Sequence, residues 1–429
     1  MWPIIMASFI LVSQDSHFPL ANIPFGTGFS THNPNPRCVS RIGDFVVDLA
    51  ALEAEGFFQE LSNTHFFSNP TLNSFMSEDK ALWRAYRSKI QALFAAENPL
   101  VRDNEQLKAK ILIPISEFTN TLPVNIGDYT DFYASRNHAF NVGCMFRGPQ
   151  NALQDNWLRL PVGYHGRSSS VVVSRHPVKR PRGQIKLLDS PDPVFSSCKK
   201  LDHEVEIGVF LGGKLNKLGE PINIAVASEH VFGLVLLNDW SARDIQSWEY
   251  VPLGPFTAKN FQTSISPWII TTLALEPFTT GLPAQDPVPL PYLREDPPTS
   301  FNITIETFIK TPSLSEPHKI STTNLQHLYW SIYQMLAHHS VSGCNMRPGD
   351  LLGTGTISGP TPDSLGCLLE MSTNGKTPVA LPNGETRSFL NDGDELIIVG
   401  KAESENFTIG FGDVRGVILP ALEDQYFHN

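Results

Sequence analysis

Apolar and polar positions alternate with a period of two along LDHEVEIGVFL (Leu201–Leu211), the pattern of a β-strand. One face would carry His203, Val205, Ile207, Val209 and Leu211, and the other Glu204, Glu206, Gly208 and Phe210. Two carboxylates on one strand face have two readings: a solvated face of an antiparallel sheet, or a face that holds something cationic. Short apolar runs bounded by Gly, Pro, Asp or Asn predict further strands at HVFGLVLLND, SFNITIETFI and DELIIVG, and at GDFVVDLAAL nearer the N-terminus. Helical periodicity is rarer. SEDKALWRAYRSKIQALFAAEN predicts a helix capped by Ser77, with Leu82, Tyr86, Ile90 and Leu93 on one stripe and a basic, polar face opposite. NLQHLYWSIYQMLAHHSVSG predicts another, with Leu325, Leu328, Ile332, Met335 and His339 at helical spacing. The opening MWPIIMASFILVSQDS predicts a buried first strand. No Lys or Arg precedes Arg37, so it lacks the basic region of a secretory signal. No apolar run reaches the roughly 18 residues of a membrane span. Two Pro-rich pieces, RHPVKRPRGQIKLLDSPDPVF and LPAQDPVPLPYLREDPPTS, read as loops. The change from a mixed N-terminal section to a mostly β remainder predicts two domains, 1–123 and 124–429.

Composition narrows the class. Charged residues make up only 17%, with 41% hydrophobic, which points to buried polar surface or a subunit interface. A net charge of −11 without a basic block argues against nucleic acid as the main partner. The five cysteines are scattered and form no C-x-x-C pair, so a reducing, cytoplasmic setting fits better than a disulfide framework or a zinc ribbon.

Candidate chemistry gathers in three further stretches. In GDYTDFYASRNHAF a helical second half would place Asp131 and His138 on one face near Tyr133, although Asp128 or Asp131 could equally cap a helix start. In LVLLNDWSARDIQSWEY a buried strand ends at Asn238-Asp239. Asp239, Arg243, Gln246 and Tyr250 then recur at helical spacing, aimed one way into a site or paired as a cap and a salt bridge. In LLGTGTISGPTPDSLGCLLE, Gly353, Gly355 and Gly359 around Thr356 suggest close backbone approach or tight turns, and no G-K-[ST] follows to make a phosphate loop. Together Asp131, Glu204, Glu206 and Asp239 would form an all-oxygen set suited to Ca²⁺ or Mg²⁺. Without a cation the four would repel one another, and Arg243 and Lys259 would offset part of that charge.

The motifs NIGDYTDFYASRNH, NWLRLPVGYHGRSSSVVVS, NDWSARDIQSWEYVPLGPF, HHSVSGCNMRPGDLLGTGTISGP and FLNDGDELIIVG resemble the fumarylacetoacetase family, in family order and over nearly the whole chain. The resemblance implies a mainly β (α+β) fold, with a small N-terminal SH3-like barrel domain, a larger C-terminal β-roll domain and assembly as a homodimer. It implies hydrolysis of a small diketo acid to fumarate and acetoacetate, the last step of tyrosine catabolism. It also implies Ca²⁺ at Asp131, Glu204, Glu206 and Asp239, and Mg²⁺ near Asp239, Lys259 and Thr263. Substrate contacts carried over are Tyr133, Arg147, Tyr164, Gln246, Tyr250 and Thr356. His138 matches the general base and Glu370 the acid that orients it, while Arg243, Gln246 and Lys259 suit oxyanion and enolate stabilisation. The periodicities above had not picked out Glu370. The chain departs from the family at Ala258 and Gln262, where glycine is common, and at Ser342, where asparagine is usual. Competing readings are an acylpyruvate hydrolase or an oxaloacetate-type decarboxylase on the same fold, and a non-catalytic Ca²⁺-binding protein.

Overall fold

A computed structural model describes residues 7–13, 16–187 and 189–427 of the chain. In the N-terminal section a five-stranded antiparallel sheet runs in the order Leu112–Pro114, Phe45–Asp48, Arg37–Ile42, Gly26–Ser30, Phe118–Thr121. The amphipathic helix spans Lys80–Phe94. Its cap is Asp79, whose carboxylate accepts from the Leu82 amide at 2.9 Å, and not Ser77. Ser77 instead donates to the Ser74 carbonyl and closes the preceding turn. The expected first strand does not form in Ala7–Ser13, where a single bridge joins Ser8 to Ala95 and Leu11 is exposed. Residues 1–6 lie outside the described residues.

The larger section is built on one long mixed sheet. Its order is Gly163–His165, Tyr129–Phe132, Leu351–Gly353, Val205–Leu211, Val231–Asp239, Thr263–Ile265, Val171–Val173, with Ile270–Thr271 also paired to Val231–Asp239. Two of its pairings are parallel, Leu351–Gly353 with Tyr129–Phe132 and Thr263–Ile265 with Val171–Val173. A second, five-stranded sheet orders His318–Asn324, Thr304–Lys310, Glu395–Glu403, Thr408–Leu419, Val178–Lys179. The second predicted helix is shorter than its periodicity suggested, spanning Ile332–Ser340. A capping box of Ser331 and Gln334 starts it there, and Leu325–His327 forms a separate 3₁₀ turn. The first Pro-rich piece is not all loop, because Arg182–Ile185 within it pairs with Val194–Ser197, at its end and just beyond, as a small hairpin.

The wet-face reading of LDHEVEIGVFL fails. Every residue from Val205 to Leu211 is buried. Val205, Ile207, Val209 and Leu211 join the main core of the larger section. On the opposite face Phe210 joins a core shared with the N-terminal section, alongside Val235 and Leu237. That shared core is dense in aromatics. Phe232 from the long sheet stacks edge-on against Trp83 at 4.9 Å and Phe75 at 6.0 Å. The N-terminal section thus covers one end of the Glu-bearing face, and the carboxylates occupy the other. Among the described residues no helix is long and apolar enough to cross a membrane.

Candidate active site

Sheet order explains how distant carboxylates meet. Asp131 stands on Tyr129–Phe132 and Glu206 on Val205–Leu211, two strands that do not touch because Leu351–Gly353 runs between them. Strands two apart lie about 10 Å from each other, too far for short side chains to cross an occupied position. The intervening residue is Gly353. A Cβ there would lie 2.8 Å from Glu206 Oε2 and 2.9 Å from Asp131 Oδ1, so the carboxylates converge over the space that a side chain would fill. Asp239 ends the next strand, and its amide donates to the Glu204 carbonyl at 3.2 Å. Carboxylate oxygens of Asp131, Glu204, Glu206 and Asp239 all come within 4.8 Å of one another, and all four residues are buried. Gly355, at φ +76°, lets its amide donate to Glu206 Oε2 at 2.9 Å. The expectation of close backbone approach holds at both glycines. Gly353→Ala is expected to lower divalent-cation affinity by at least about tenfold by wedging Asp131 from Glu206, as calorimetric Ca²⁺ titration would read.

The electrostatics are those of a crowded anionic site. Burial, then the Asp239 charge, push Asp131 well above the usual carboxylate range. Burial, then Asp131 and Asp239, do the same to Glu206. Burial also raises Asp239, with Lys259 pulling against it. Glu204 goes the other way: burial opposes its charge, but Arg243 and Lys259 outweigh that and hold it well below its ordinary value. Arg243 Nη1 lies 2.6 Å from Glu204, and Lys259 bonds both Glu204 and, at 2.6 Å, Asp239. Asp131 Oδ1 and Glu206 Oε1 are buried with no hydrogen-bond partner. Unpaired oxygens, raised affinities for protons and an all-oxygen donor set together fit a hard divalent cation.

Lys259 and Thr263 meet at Asp239, as expected, the Thr263 hydroxyl donating to Oδ1 at 3.2 Å. Neither Ala258 nor Gln262 takes positive φ, so the family's glycines are not needed for this backbone path. Tyr164 donates its hydroxyl to Asp239 Oδ2 at 3.1 Å.

His138 and Asp131 do not share a helix. Ser135, in extended conformation, caps a helix spanning Arg136–Arg147, and Asp131 stays on the preceding strand. Both nevertheless line one cavity of about 670 Å³, together with Tyr133, Arg147, Tyr164 and Thr356. The helix Arg243–Glu249 adds Arg243 and Gln246 to its wall, with Tyr250 at the helix end. Asp239 is not on that helix and does not pair with Arg243. Asp202 does, through Arg243 Nε at 2.9 Å. Arg243 Nη2 and Thr356 Oγ1 are buried without partners.

Glu370, invisible to periodicity, sits on the short helix Leu368–Met371 and bonds His138 Nδ1 at 2.6 Å. Asn141 and Ser358 donate to the same carboxylate at 2.9 and 2.7 Å, and Cys367 Sγ lies 3.1 Å away. Burial opposes the Glu370 charge, but His138 and these donors hold the carboxyl down at about 2. Asp202 was also missed. It accepts from the Leu368 and Leu369 amides at 2.8 and 2.9 Å, so one buried carboxylate anchors both Arg243 and the helix bearing Glu370. Tyr129 is a third omission, its buried hydroxyl reaching the same space over Gly353.

Residues 21–123 match the fumarylacetoacetase N-terminal family and residues 128–418 the fumarylacetoacetate (FAA) hydrolase C-terminal family. The chain belongs to the fumarylacetoacetase family. It is 55% identical to the fumarylacetoacetase of Dictyostelium discoideum, over 98% of this chain and 100% of that one. It is 50% identical to the Homo sapiens fumarylacetoacetase, over 97% and 99%. The fold is similar to that of a fumarylacetoacetate hydrolase from psychrophilic Exiguobacterium antarcticum, with a TM-score of 0.50 at 14% identity over 93% of this chain and 99% of that one. A mainly β fold in two family-type sections, small then large, agrees with what the motifs implied.

Proposed function

We propose that this protein hydrolyses the carbon–carbon bond of fumarylacetoacetate to fumarate and acetoacetate. The observation that supports this best is His138, hydrogen-bonded to Glu370, lining the same cavity as Asp131 and Glu204 of the carboxylate cluster. A carboxylate can only accept from imidazole Nδ1, so Glu370 fixes the tautomer in which Nε2 is the basic atom. In this reading His138 takes a proton from water as it attacks the fumaryl carbonyl carbon, and Glu370 stabilises the imidazolium that results. Arg243, through its unpartnered Nη2, together with Gln246 and Lys259, offers donors to the tetrahedral oxyanion and to the departing enolate. His138 then returns its proton to the enolate carbon, giving acetoacetate. Arg147, Tyr133, Tyr164, Tyr250 and Thr356 hold and orient the substrate.

Asp131, Glu204, Glu206 and Asp239 would hold Ca²⁺, and Asp239, Lys259 and Thr263 would lie beside Mg²⁺. A divalent cation bound there would supply Lewis-acid polarisation of the diketone oxygens. A cytoplasmic homodimer completes the reading, with its stoichiometry open to light scattering. A Ca²⁺-binding protein without activity would share the carboxylates, but it gives no use to the hydrogen bonds converging on Glu370.

The direct test follows the ultraviolet absorbance of fumarylacetoacetate after addition of purified protein, with and without a chelator. Rapid, chelator-sensitive loss with fumarate appearing is the expected result. No loss in metal-replete buffer would remove this substrate and direct attention to acylpyruvates.

A further inference from the structure

Four cationic side chains line the cavity: Arg147, Lys200, Arg243 and Lys259. Two of them are committed to protein carboxylates. Arg243 pairs with Asp202 and Glu204, and Lys259 with Glu204 and Asp239. The other two enter no ion pair among the described residues. Arg147 donates to the main-chain oxygens of Asn151 and Ala152, at 3.0 and 2.6 Å. Lys200 Nζ donates to the neutral amide oxygen of Asn374, at 2.9 Å.

Lys200 is half-buried, and its place in the wall is well defined. Its carbonyl accepts from the Arg243 amide at 3.0 Å, and the next two residues pair with Ser241–Ala242. The ammonium stands 5.6 Å from the centroid of the Phe389 ring. An ammonium carries three N–H donors, so Asn374 leaves two for other partners. A fixed cation beside apolar surface, with no anion of its own, is suited to a carboxylate that arrives with the ligand.

We propose that Lys200 is a substrate-binding residue that takes one terminal carboxylate of a diketo dicarboxylic acid, while Arg147 takes the other. The inference rests on the hydrolase reading above and extends it to substrate choice. Fumarylacetoacetate carries a carboxylate at each end of an extended chain, with the diketone between them. Arg243 and Lys259 serve the reacting centre and are already neutralised by the protein. The cavity then retains one uncommitted cation for each end of the substrate.

Steady-state kinetics on the metal-replete enzyme test this. Lys200→Gln keeps much of the stem and a donor for Asn374 but removes the charge. It is expected to raise KM for fumarylacetoacetate about tenfold, with kcat within about twofold, as fits the loss of one charge-assisted contact made equally in ground and transition states. Lys200→Arg is expected to restore most of the affinity. Lys200→Met serves in place of the Gln variant if that variant folds poorly by circular dichroism. The second substrate is 3,5-dioxohexanoate, which lacks the fumaryl-end carboxylate. On it only one of Lys200→Gln and Arg147→Gln is expected to raise KM, because one terminal charge remains. An unchanged KM for the charge-removing variant on fumarylacetoacetate overturns the proposal. So does a fall in kcat alone, which would mark a purely structural tether to Asn374, and so does an equal effect of both variants on the monocarboxylate. A wild-type protein inert toward fumarylacetoacetate overturns the hydrolase reading, and this inference with it.

Discussion

Replacing His138 by Ala is expected to lower kcat for fumarylacetoacetate by about 10³-fold or more, while Ca²⁺ affinity measured by calorimetry stays near that of the parent protein. General-base catalysis by a positioned histidine contributes about 10²–10⁴-fold. The upper part of that range is reasonable here because His138 is buried and held at 2.6 Å by Glu370. His138 is separate from the four carboxylates, so cation binding gives an internal control for folding. Glu370→Gln is expected to cost about 10²-fold, because a neutral amide can hold the wrong tautomer and no longer stabilises an imidazolium. The double variant should be little worse than His138→Ala, since a group acting only through His138 has nothing to orient once the imidazole is gone. Additive losses would instead mean that Glu370 acts on the substrate independently. A silent His138→Ala would favour the Ca²⁺-binding alternative.

Glu206→Gln is expected to act in opposite directions on stability and on cation binding. In cation-free buffer the variant should melt higher than the parent. Glu206 is buried beside Asp131 and Asp239, and its raised proton affinity is the mark of a carboxylate pressed against like charges. A glutamine removes that repulsion, keeps an oxygen for the Gly355 amide, and adds an amide that can donate toward Asp131. With Ca²⁺ present the order should reverse. The parent gains stability with ligand concentration according to its affinity, and the variant, having lost a charged ligand, should gain little. Differential scanning fluorimetry with and without Ca²⁺ reads both signs in one experiment. A variant destabilised in both buffers would make Glu206 a packing residue, and one still stabilised by Ca²⁺ would place the cation elsewhere.

Much of this site was legible from local pattern. Period-two alternation put Glu206 in its strand, although the strand starts at Val205 and leaves Glu204 just before it, and the end of the buried run at Asp239 marked the end of the next. The spacing of Arg243, Gln246 and Tyr250 anticipated one cavity wall, because that segment is helical from Arg243 onward. The long motifs named the family, and through it residues that periodicity could not reach. Periodicity overreached where a cap intervened, extending one helix back to Ser77, starting another before Ser331, and placing Asp131 on the helix that Ser135 begins.

The chain by itself therefore determined which residues share a strand face or a helix face, since those relations depend on backbone geometry within a few residues. Tertiary structure alone decided what each face meets. Both faces of Val205–Leu211 are dry because the N-terminal section packs against Phe210, a contact that no local period encodes. Asp131 reaches Glu206 only because sheet order sets Gly353 between their strands. Glu370 meets His138 across 232 positions of sequence, and Asp202 joins two helices 41 and 166 positions away from it. Strand order and long-range packing bring these groups together, and their energies belong to the assembled core rather than to any segment of it.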